Sequence, residues 1–152
     1  MVQCRPAVGS TWPGLPSTSG VARSMAPWFF VEDPAATALG VYADAPDKVC
    51  LASKRQGDCT TLFCGTPSLT AAFVRTLARE AGCHIYGEGE DAVYPAGTFT
   101  GIHCREAGEK TLHLPGAGSA FELFSGRRLP VKNGVLTWQA RAKTTYLFYT
   151  GA

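Results

Sequence analysis

Residues 59–68 read Cys59-Thr60-Thr61-Leu62-Phe63-Cys64-Gly65-Thr66-Pro67-Ser68, and their order predicts a strand, a tight exit and a helix start. β-Branched and aromatic side chains among the first six positions suit a pleated, packed surface. Behind them Leu69, Phe73, Leu77 and Ala81 recur every fourth residue, while Val74 and Ala78 widen the same face and Arg75 and Arg79 take the other. That period predicts an amphipathic helix over about Ser68 to Ala81. Thr66 or Ser68 can cap its start, Pro67 is tolerated in a first turn, and Gly82 supplies a left-handed stop. So short a helix needs its Leu and Phe face buried on a sheet, at roughly 1.5–3 kcal/mol per large side chain. Strand followed by helix reads as a parallel crossover, and hence as an α/β arrangement.

Upstream, Trp28 to Val31, Ala38 to Tyr42 and Val49 to Ser53 read as short strands separated by turn-rich segments. A hairpin of Lys48–Ser53 with Cys59–Cys64 through Arg55-Gln56-Gly57-Asp58 would set Lys54 opposite Cys59 and Cys50 opposite Phe63. Downstream, Cys83–Tyr86, Ala92–Tyr94 and Thr98–Cys104 are strand-like, and from Lys110 the pattern is entirely β. Leu112 and Leu114 alternate with Thr111 and His113, Phe121–Phe124 follows, and Leu129–Trp138 is split by the hairpin pair Asn133-Gly134. Thr144–Tyr149 is the last strand. Met1 to Ala26 holds Pro6, Pro13 and Pro16 without any apolar period, so it is expected to be a disordered tail. The expected organisation is a tail over 1–26, a mixed α/β domain over 27–109 and a small antiparallel β-domain over 110–152.

Running from Cys59 through Leu114, the chain resembles the last part of the glutamine-amidotransferase-like, doubly wound domain of bacterial β-galactosidase-like glycoside hydrolases. Lys110-Thr111-Leu112-His113-Leu114-Pro115, Phe121-Glu122-Leu123-Phe124-Ser125-Gly126 and Tyr146-Leu147-Phe148 are similar to the small terminal β-domain of the same enzymes. The resemblance implies a partial flavodoxin- or amidotransferase-like α/β domain followed by that β-domain, truncated at the front, with no counterpart of the catalytic barrel. It further implies a non-catalytic scaffold with trimer or other homo-oligomer contacts. A glycoside hydrolase catalytic domain would be the other candidate partner, and carbohydrate a possible ligand.

Composition narrows the classes. Fourteen basic and twelve acidic residues give a net charge of +2 and only two adjacent basic pairs, Lys54-Arg55 and Arg127-Arg128, so nucleic acid is not expected as a partner. No apolar run approaches the roughly 20 residues a bilayer demands, and Pro13, Gly14 and Pro16 interrupt any export signal. Membrane association is therefore not expected, and a cytoplasmic location is. Six cysteines without regular spacing read as reduced and mostly buried.

Four constellations could carry chemistry. Cys64-Gly65 between strand and helix is placed like a nucleophile turn, with His84 the nearest histidine, which opens the alternative of a cysteine-dependent hydrolase or amidotransferase-like enzyme. Bulky Phe63 before the thiol argues instead for a buried structural cysteine. Cys59, Cys64, Cys83-His84 and His103-Cys104 assemble into a zinc site only on paper, because adjacent strand residues face opposite ways. Glu88-Gly89-Glu90-Asp91 lacks calcium-loop spacing and reads as a charged turn. Trp28, Trp138, Tyr94, Tyr146 and Tyr149 either form core or offer a sugar-stacking platform, which makes a carbohydrate-binding module the second alternative. No catalytic, cofactor-binding or metal residue is assigned.

Overall fold

The computed structural model describes residues 2–10, 19–21, 26–66 and 69–151, in two compact units, Met1–Gly82 and Cys83–Ala152. Of the expected tail, 11–18 and 22–25 lie outside the described residues, as do Pro67 and the candidate cap Ser68.

The first unit is a five-stranded sheet of β1 (Val2–Pro6), β2 (Ser19–Val21), β3 (Thr37–Tyr42), β4 (Val49–Gln56) and β5 (Cys59–Cys64) in the order β2-β1-β3-β4-β5. Every pairing is antiparallel. In β1 the alternation Val2, Gln3, Cys4, Arg5 turns Val2 and Cys4 into the core, so the start of the chain contributes apolar burial. β4 and β5 are joined by Gly57-Asp58 alone, with Gly57 at φ +59°, a left-handed first turn position that glycine fills without strain. This two-residue turn puts Gln56 opposite Cys59, Lys54 opposite Thr61 and Ala52 opposite Phe63, two positions from the register that a four-residue loop would give.

One helix, α1 (Ala71–Glu80), follows. Thr70 is its cap, its Oγ1 accepting from the Phe73 amide at 3.2 Å, and Gly82 at φ +75° ends it. Phe73 inserts into the core formed by Val2, Cys4, Leu39, Tyr42, Cys50 and Leu51, with Leu77 packed alongside.

The second unit holds β6 (Ala92–Ala96), β7 (Phe99–Cys104), β8 (Gly108–His113), β9 (Ser119–Glu122), β10 (Arg127–Lys132), β11 (Val135–Ala140) and β12 (Thr144–Tyr149). Its seven strands run in the order β6-β7-β12-β9-β10-β11-β8, again antiparallel at each pairing. Asn133 and Gly134, at φ 51° and 76°, make the type I′ turn between β10 and β11. Ile102, Cys104, Leu112, Leu136, Trp138 and Phe148 centre its core.

These sheets overturn the α/β class. Cys83–Tyr86, where a strand parallel to β5 was expected after the helix, has no regular structure, so no crossover is completed. There is accordingly no partial doubly wound, flavodoxin- or amidotransferase-like domain within 27–109. Among the described residues there are two antiparallel sheets, one in each unit, and one short helix in the first.

Candidate functional site

Cys64 closes β5, half-buried beside the first core. Its Sγ donates to the Thr66 carbonyl at 2.9 Å. Gly65 is there for room rather than for an elbow: a Cβ would lie 2.6 Å from both the Phe29 carbonyl oxygen and the Tyr42 hydroxyl. That hydroxyl donates between the carbonyls of Phe29 (2.9 Å) and Gly65 (3.2 Å), and burial raises its pKa. His84 belongs to the second unit, where its Nε2 donates to the His113 carbonyl at 2.9 Å and its ring stands edge-on to Tyr86. Thiol and imidazole are thus each engaged with a backbone carbonyl of their own unit.

Of the other cysteines, Cys4 and Cys50 meet in the first core. Cys59 and Cys83 are exposed, whereas Cys50 and Cys104 are fully buried. A hydrogen bond with Cys4 and then burial push the Cys50 thiol up, and burial does the same to Cys104. His103 faces away from Cys104, its Nδ1 hydrogen-bonding Thr145 Oγ1 at 2.9 Å. Among the described residues no group of three or more His, Cys, Asp or Glu side chains could hold a metal ion.

Of the acidic turn, Asp91 matters most. Its Oδ2 lies 2.7 Å from Lys110 Nζ and its Oδ1 accepts from the Arg105 amide at 2.8 Å, tying the turn to β8. Burial pushes the Asp91 carboxyl up, but the Lys110 hydrogen bond and the Arg105 amide outweigh it and hold the pKa below the ordinary 3.8. The same bond raises Lys110. The pair borders a pocket of about 210 Å³ with Val93, Ile102 and Glu109. Asp33 is used alike, accepting from Lys54 and from the Ala35 amide.

Glu122 is the residue that pattern reading passes over. It sits between Phe121 and Leu123 as a polar break in an apolar phrase, yet it is only 4% exposed. Its Oε2 accepts from the Ser125 amide at 2.8 Å, and its Oε1 from the amides of Phe124 (3.2 Å) and Leu147 (3.4 Å). Burial raises its pKa, but a hydrogen bond with the Ser125 side chain and then these amide donors more than compensate and leave it below the ordinary 4.5. A carboxylate held this way locks the β9–β10 turn to β12. Its sequence signal is slight: a lone acid before Ser125-Gly126.

The aromatic set divides. Trp138 is buried edge-on against Tyr146 and Phe148, and Trp28 stacks on Tyr42 at 4.8 Å. Tyr94 and Tyr149 remain on the outward face. Tyr149 lies opposite Phe99, Tyr94 opposite Gly101, and Phe121 opposite Tyr149, so these rings share the side of the sheet away from Thr100, Ile102 and Cys104. Tyr94 is 67% exposed and Phe99 42%.

No family model matches the sequence, and no curated protein matches it. Among solved structures, the crystal structure of the β-galactosidase from Bacillus circulans sp. alkalophilus is similar, at a TM-score of 0.62 and 16% identity over 99% of this chain. The likeness is one of fold, and it covers 22% of that protein's chain. It supports neither an amidotransferase-like domain nor trimer contacts. No helix among the described residues is long and apolar enough to cross a membrane.

Proposed function

We propose that this chain is a non-catalytic β-module of a β-galactosidase-like glycoside hydrolase, serving as scaffold for a catalytic domain. The carrying observation is the fold likeness over 99% of the chain to 22% of a β-galactosidase chain. The chemistry of the side chains agrees. Asp33, Asp91 and Glu122 each accept from backbone amides, and two of them also from lysines, with pKa values lowered rather than raised. A glycosidase acid needs the opposite shift, and a partner carboxyl across a cleft. The test is turnover of aryl β-galactosides by the full chain. The expected result is no rate above the uncatalysed background, and turnover at an ordinary enzymatic rate overturns the reading.

The outward Tyr94, Phe99 and Tyr149 favour carbohydrate binding as a second reading, since aromatic faces pack on apolar sugar surfaces. Galactan or galacto-oligosaccharide titration followed by nuclear magnetic resonance of those ring protons tests it. Unshifted rings at saturating glycan would refute it.

A further inference from the structure

We propose that the outer edge of β5 is a pairing surface for a second copy of this chain, joined strand to strand about a two-fold axis centred on Leu62. β5 ends the first unit's sheet, with β4 on one side. In a two-residue hairpin the residues flanking the turn form a hydrogen-bonded pair, and pairs then alternate along the ladder. Gln56–Cys59, Lys54–Thr61 and Ala52–Phe63 are therefore the bonded pairs, and the Gly65 amide donating to the Cys50 carbonyl at 2.7 Å continues the series. The amides and carbonyls of Thr60, Leu62 and Cys64 consequently point away from β4. Among the described residues none of these backbone groups has a partner.

Edges of this kind are normally blunted by Lys, Pro, a bulge or a cover. Cys59–Cys64 contains no charged residue and no proline, and its β4–β5 register runs unbroken. Neutrality is also what makes a copy of itself a fitting occupant. Antiparallel pairing about Leu62 sets Leu62 opposite Leu62 and Thr60 opposite Cys64 of the other chain, so every outward donor on each copy meets an outward acceptor on the other. It also sets Thr61 against Phe63, a β-branched–aromatic cross-strand pair, and Phe63 is 36% exposed in the single chain. The nearest cations, Lys54 and Arg55 on β4, would line up with Ala52 and Leu51 of the other copy across three strand spacings, about 14 Å, so like charges stay farther apart than the Debye length of about 8 Å at physiological salt. An isologous contact of this kind closes on itself and does not propagate. The inference needs only the free edge and stands apart from the glycoside hydrolase reading, whose turnover test it does not touch.

Sedimentation velocity of the full chain over a concentration series, with amide exchange at Thr60, Leu62 and Cys64, tests it. The expected result is a monomer–dimer equilibrium in which those three amides gain protection as dimer forms. Thr60→Pro removes an outward amide while leaving the β4 ladder intact, as edge strands tolerate. It should weaken dimerisation by at least about tenfold, the effect of two lost net hydrogen bonds per dimer. A chain that stays monomeric into the millimolar range overturns the proposal, as does a dimer that Thr60→Pro leaves equally tight. Protection of the three amides independent of concentration would also overturn it, and that reading survives even if the proline variant fails to fold.

Discussion

Replacing Glu122 by Gln changes one atom pair and little volume, yet it should destabilise the second unit substantially at neutral pH. The carboxylate presents oxygen to the amides of Phe124, Ser125 and Leu147 at once, whereas a glutamine has a single oxygen. If that oxygen keeps the 2.8 Å bond from Ser125, the amide nitrogen must face the other two donors. Each buried donor left unsatisfied costs about 1–3 kcal/mol, and the 3.2 and 3.4 Å bonds are the longer ones, so a loss of about 2–4 kcal/mol is expected. The loss should also depend on pH. A carboxyl whose folded pKa lies below its ordinary 4.5 contributes stability that is complete above that value and disappears as pH falls through the folded pKa. Wild type and Glu122→Gln should therefore differ most at pH 7 and converge in acid. Urea melts read by Trp138 fluorescence, with Trp12 and Trp28 replaced by Phe, report this unit, because Trp138 packs on Phe148 opposite Glu122. A difference under about 1 kcal/mol, or one unchanged between pH 7 and pH 3, would refute the locking role.

Phe73→Ala should cost about 3–5 kcal/mol in denaturant melts of the first unit, while exposed Val74→Ala next to it should stay within about 0.5 kcal/mol. Deleting residues 1–6 should lower the melting temperature, because Val2 and Cys4 leave the core; an unchanged melt would mean β1 is dispensable. Iodoacetamide near neutral pH should modify Cys59 and Cys83 first and Cys50 and Cys104 last. Modification of Cys64 ahead of Cys59 would revive the nucleophile reading.

What the sequence made legible was local. The fourfold recurrence of Leu69, Phe73 and Leu77 announced α1, and Asn133-Gly134 announced its turn, because helix period and left-handed turn chemistry are properties of neighbouring residues. The α/β class failed because strand direction is not local. β5 followed by α1 has the pattern of half a crossover, and only the lack of a strand at Cys83–Tyr86 and the antiparallel partners of β5 and β3 show otherwise. The β4–β5 register failed at the turn, where Gly57-Asp58 suffices and four residues were allotted. β1 carried a four-residue alternation, Val2 to Arg5, that was outweighed by the proline-rich sequence behind it. At the candidate site, the opposed faces of His103 and Cys104 followed from strand geometry. Glu122 was hidden because its partners are backbone amides, which sequence does not display.

The central claim is that the Asp91 and Glu122 carboxylates are structural ties and not acid–base catalysts. Carbon-13 titration of the side-chain carboxyls in the full chain tests it most directly. Asp91 should titrate below 3.8 and Glu122 below 4.5, both held down by their donors. A midpoint for either near the 6 that a general acid requires would contradict the account.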